Sequence, residues 1–81
     1  MGKTEMQIMA RDYIDICFQT VQEYIVGYNN GKYDAELVDL GLTRISNAIS
    51  AYSAIELFSG SEILEFYARC DLIRDNFEKE M

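Results

Sequence analysis

A chain of 81 residues with 49% hydrophobic content suffices for one domain over residues 1–81 and argues against disorder. A formal charge of −7 repels nucleic-acid phosphates, so direct binding of duplex DNA or RNA across a broad face is not expected. Histidine is absent from the sequence, which removes the imidazole base, the Ser-His and Cys-His pairs and the histidine metal ligand.

Thr4, Glu5, Met6 and Gln7 have the form of a capping box and predict a helix that begins near residue 4. Behind it, Met6, Ala10, Tyr13, Ile14, Cys17, Val21, Tyr24, Ile25 and Tyr28 recur at steps of three and four. At about 100° per residue they fall within an arc of roughly 120°, a stripe made to face a core. It stops at Asn29, Asn30 and Gly31, residues that tolerate the left-handed conformation of a helix C-cap. The first helix is therefore expected over 4–28.

The stretch 29–34 has the length of a turn between antiparallel helices, and Asp34 is placed to cap the next one. Val38, Leu42, Ile45, Ala48, Ile49 and Tyr52 form a second stripe, predicting a helix over 34–58. Gly41, Ala48, Ser50 and Ala51 would let another backbone come close, at some cost in helix propensity. Ser59 with Glu62, or Ser61 alone, can cap a third helix over 61–80. Its stripe is Ile63, Phe66, Cys70, Ile73 and Phe77, with Met81 in phase. Glu65 and Arg69, Arg74 and Glu78, and Asp75 and Lys79 stand four apart on its flanks as modest support. The fold expected is all-α, a three-helix antiparallel hairpin or bundle. The competing arrangement joins helices two and three into one rod bent about Gly60, packed in a dimer.

Cys17 and Cys70 each fall inside an apolar stripe and are expected as buried, reduced thiols. No uncharged run approaches the roughly 18 residues of a membrane span, and the start lacks the apolar core of a secretory signal. The expected setting is the cytoplasm of a bacterium or host cell.

Several apolar residues fit none of the stripes. Ile8, Ile16 and Val26 point away from the first, with Met9 at its edge, while Leu64, Tyr67 and Leu72 lie off the third. Leu37, Leu40, Ile55 and Phe58 repeat at helical spacing off the second, and a patch of that kind marks a protein interface. Asp71, Asp75 and Glu78 form an acidic helical face that would steer association with a basic partner surface.

Catalytic signatures are missing. There is no Glu-x-x-His pair for a di-iron centre, no CxxC, no Walker loop and no GxGxxG, so neither an enzyme, a metal nor a cofactor is expected. Tyr28 and Tyr33 flank the first loop with Lys32 between them, where a stacked base or a phosphate could sit. The run Leu40-Gly41-Leu42-Thr43-Arg44-Ile45, followed by Ala48 and Ile49, resembles the start of the last helix in phage proteins that sequester cyclic oligonucleotide signals. That resemblance covers about ten residues and implies a ligand-sequestering oligomer. Here a whole third helix follows, a departure from that family's pattern.

The sequence thus predicts a small, acidic, non-enzymatic protein-binding protein that self-associates. Its expected action is to cover a partner surface as an inhibitor, adaptor or small chaperone, a phage-encoded protein aimed at a host or defence protein being one such case. The alternatives are an oligomer that sequesters a nucleotide-like ligand and a purely structural assembly subunit.

Overall fold

Helix boundaries here follow from how the chain satisfies its terminal backbone groups. The computed structural model describes residues 2–80, without the Glu80 side chain, and places three helices in order: α1 (Lys3–Asn29), α2 (Ala35–Ala54) and α3 (Gly60–Glu80). No strand occurs among the described residues, and Met81 of the expected third stripe lies outside them.

α1 begins earlier than its capping signature suggests. Gly2 is the extended N-cap residue, and its carbonyl accepts the Met6 N–H at 3.1 Å. Thr4 therefore lies inside the first turn, and no side-chain cap hydrogen bond forms at this end. At the other end Gly31 takes a positive φ of 76°. The Gly31 and Lys32 N–H groups donate to the carbonyls of Tyr28 and Gly27, the paired reversal that closes a helix on a left-handed residue.

α2 ends in the same way, and this corrects its expected extent to residue 58. Ile55 is the C-cap and Glu56 stands at a φ of 58°. Its N–H donates to Ser53, while the Leu57 N–H donates to Tyr52. A glutamate here carries a left-handed strain of about 1–2 kcal/mol that glycine would avoid. The reversal is held because Leu57, directly after it, is buried, and so is Phe58. Gly60 then opens α3 through a complete capping box. The Ser59 N–H donates to the Glu62 carboxylate at 3.0 Å, and the Glu62 N–H to the Ser59 hydroxyl at 3.2 Å. A single bent rod is excluded, since five residues of reversed chain separate α2 from α3.

α1 and α2 form the main antiparallel seam. Ile14, Val21, Val38, Leu42, Ile45 and Ile49 are fully buried there, each worth about 1.5–3 kcal/mol of apolar transfer. Gly41 sets the closest approach, because a Cβ on it would stand 2.6 Å from the Val21 Cγ2. Tyr33 folds its ring back over Gly27, which likewise has no room for a side chain.

α3 returns parallel to α1, on one side of that hairpin. Tyr28 meets Phe77 edge-on at 5.0 Å between centroids, Arg11 pairs with Glu62, and Ser50 meets the Tyr67 hydroxyl at 3.1 Å. The Arg69 guanidinium lies 4.0 Å above the Phe18 ring and 3.7 Å from Asp15, so it serves the α1–α3 contact rather than the expected pair with Glu65. Phe18 stands outside the expected stripe, yet it is buried because α3 covers that flank of α1. The opposite flank has no such cover. Met6 and Tyr13, both expected in the core, are 38% and 43% exposed. The molecule measures 44 × 21 × 13 Å. Its accessible surface is 5414 Å², against about 5,000 Å² for a compact chain of this mass.

Two substitutions test these close geometries. Glu56→Gly relieves the left-handed strain and should raise unfolding stability by up to about 1 kcal/mol in a urea melt. Gly41→Val forces α1 and α2 apart and should lower it by about 1–3 kcal/mol.

Candidate functional site

The side of the α1–α2 hairpin turned away from α3 is the candidate site. Met9, Tyr13 and Ile16 supply it from α1, spaced so that they rise along one line of the helix. Gly41, Arg44, Ala48, Ala51 and Ile55 supply it from α2 and its C-cap. Met9, Ile16 and Ile55 are each more than half exposed, at 57%, 58% and 57%. Two depressions lie between the helices, and no residue of α3 lines either. The larger, about 360 Å³, is bounded by Met6, Met9, Tyr13, Tyr52, Ile55 and Leu57 and is mostly apolar. The smaller, 140 Å³, lies over Cys17 with Tyr24 and Gly41 at its floor and Arg44 at its side.

Tyr13 separates the two depressions, and its ring meets Tyr52 edge-on at 6.3 Å. Hydrogen bonding with the Cys17 thiol holds its hydroxyl above the ordinary 10.0, so it stays neutral in physiological solution. Arg44 is thus the one cation on the face, and it forms no ion pair among the described residues. Glu5, Asp12 and Glu23 fall on a single line of α1, about 40° beyond Met9 and Ile16, and border the face with exposed carboxylates.

The residues picked from the sequence as an interface are dispersed in the fold. Phe58 is only 6% exposed, and its ring packs between Tyr52 at 5.7 Å and Phe66 at 5.0 Å. It belongs to the core, because the reversed chain after Glu56 turns it inward where a continued helix would have turned it out. Leu37 is half-buried. Leu40 and Ile55 are exposed but stand about 22 Å apart along the helix axis. Only Ile55 lines the larger depression. Asp71, Asp75 and Glu78 are exposed on the outer surface of α3, away from the apolar face. They and Ile55 therefore cannot meet one flat partner together.

The suspected ligand residues also diverge. Tyr28 turns to Phe77 on α3, whereas Tyr33 turns to Tyr24 at 5.7 Å over Gly27. Lys32 lies 5.2 Å above the Tyr33 ring, and the shallow hollow there also carries Asp34 and Glu36. The two rings do not form a clamp, and two carboxylates next to the single lysine oppose a phosphate.

Sequence reading missed Met9, Tyr13 and Ile16 as one surface. The available signal was the phase of Met9 and Ile16, one step outside the core stripe on the side where Tyr13 and Met6 also sit. No group of histidine, cysteine or carboxylate residues that could hold a metal occurs among the described residues. No helix among them is long and apolar enough to cross a membrane. Comparison with protein-family models, with curated proteins and with solved structures returns no match for this chain.

Both cysteines are free thiols in the core, Cys17 under the face and Cys70 on the inner side of α3. Burial pushes the Cys70 thiol above its ordinary 9.0. The folded chain therefore holds this proton more tightly than the unfolded chain does. The contribution is complete below 9.0 and is lost as the pH rises from there through the folded value. Wild type should accordingly lose more melting temperature than Cys70→Ala between neutral pH and about pH 10, with the tyrosines and lysines cancelling in the difference.

Proposed function

We infer that the chain is a non-enzymatic protein-binding protein whose working surface is the α1–α2 face. One observation carries this reading: on the flank that α3 leaves open, Met9, Tyr13 and Ile55 are exposed around an apolar depression of about 360 Å³, and Ile16 is exposed beside the smaller one. Burying such side chains yields about 25 cal/mol per Å² removed from water, and contiguous patches of this kind mark association sites. An apolar depression next to a tyrosine suits an aliphatic or aromatic anchor from a partner. The carboxylate border of Glu5, Asp12 and Glu23 favours positive charge opposite it. The chain would act by covering a protein surface, as an assembly subunit, adaptor or inhibitor does.

A photo-crosslinking amino acid at position 16, introduced into the protein in its native cell, tests this directly. Position 72 on the outer side of α3 is the control, since Leu72 is equally apolar and 62% exposed. Position 16 should give a discrete protein adduct and position 72 none. No adduct at 16, or equal adducts at both, would remove the reading.

A further inference from the structure

We propose that the partner seated on the α1–α2 face is a second copy of this chain, related by a two-fold axis that sets α1 of each copy on α2 of the other. The proposal rests on the reading of that face as a protein-binding surface and names what it binds.

Charge selects this occupant. The face has a cation on its α2 side, midway along its length, Arg44, and a line of anions along its α1 border, Glu5, Asp12 and Glu23. None of these groups has an ion-pair partner within its own chain among the described residues. A purely basic partner would satisfy the border but place positive charge against Arg44. A second copy satisfies both at once. Arg44 lies across from Tyr13, Ile16 and Thr20, at the level of α1 that falls between Asp12 and Glu23. A two-fold parallel to the helices keeps that level and sets Arg44 of each copy against the acidic border of the other. Such an interface is isologous, so each favourable pair occurs twice.

Size agrees with the same occupant. At 38–58% exposure, Met6, Met9, Tyr13, Ile16 and Ile55 present roughly 500 Å², against about 800 Å² buried per partner in a standard interface. The intervening Thr20, Arg44, Ala48 and Ala51 add to that area, Arg44 and Ala51 being exposed. Gly41, Ala48 and Ala51 keep the α2 side low, so a neighbouring helix can approach. The two α3 helices remain outside, with Asp71, Asp75 and Glu78 of each copy facing solvent. That arrangement keeps the strongest like charges of two chains of −7 far apart.

Light scattering on the purified chain, with circular dichroism to confirm folding, gives the test. At about 50 µM, above the micromolar dissociation constants at the weak end for interfaces of this size, the mass should be twice that of one chain. Ile16→Glu and Arg44→Glu should each weaken the dimer about tenfold or more while leaving the helical signal and melting cooperativity intact. The deciding arm mixes Arg44→Glu with a variant carrying Asp12→Lys and Glu23→Lys. Each variant alone sets like charges against each other, whereas the mixture restores both pairs and should form a heterodimer. A monomeric wild type would overturn the proposal, as would a dimer indifferent to Ile16→Glu or a mixture that stays monomeric. A monomer whose position 16 still crosslinks to a different protein would overturn the self-association alone and leave the protein-binding reading standing.

Discussion

Everything in this molecule depends on the α1–α2 seam. Its interlock is unusually close at one point, where Gly41 lets Val21 and Tyr24 lie against the α2 backbone. Above and below that point, Ile14, Val38, Leu42, Ile45 and Ile49 exclude water completely. Because interiors are packed near crystal density, a seam this tight fixes the register of the two helices and with it every side chain on their outer flanks. The turn at Gly31 and the fold of Tyr33 over Gly27 anchor one end of the seam. The Tyr13–Tyr52 contact anchors the other.

The third helix is attached differently. Its backbone lies close to α2 over part of its length, and it reaches α1 mainly through long side chains. Arg69 spans to Phe18 and Asp15, Arg11 reaches Glu62, and Tyr28 meets Phe77. Exposed ion pairs of this kind contribute little, so the attachment rests on Phe18, Phe58, Phe66, Cys70 and Phe77. The turn at Glu56 decides which side of the hairpin those aromatics occupy. It sends Leu57 and Phe58 inward, and α3 then covers the Phe18 flank alone. A hairpin has two broad flanks and one further helix can cover only one of them. The open flank with its apolar depression is thus a geometric consequence of a three-helix chain.

Much of this was legible in the residues themselves. Periods of three and four located all three helices; the Asn29-Asn30-Gly31 stop and the Ser59–Glu62 box, one of two caps the residues offered, formed as local signals, whereas the Thr4–Gln7 box did not. The Ile14, Cys17, Val21, Val38, Leu42, Ile45, Ile49, Phe66, Cys70 and Phe77 core followed from the same spacing. The end of α2 was not legible. Nothing in Ile55-Glu56-Leu57-Phe58 marks a left-handed residue, since glutamate disfavours that conformation and only the burial of Leu57 and Phe58 offsets the strain.

That one turn explains why the sequence grouped Phe58 with exposed residues, although it is buried. Extending α2 to residue 58 puts Phe58 on an outer face with Leu40 and Ile55. The same spacing on α1 leaves Tyr13 and Met6 inside a stripe whose centre is known but whose covered width is not. Sequence by itself determined the helices, most of the buried stripe and the acidic balance, because spacing, capping and charge are properties of short segments. Only the tertiary structure decided which flank of the α1–α2 hairpin α3 covers, and therefore which apolar residues remain outside. That choice depends on the direction in which one strained turn releases the chain, and no local pattern encodes it.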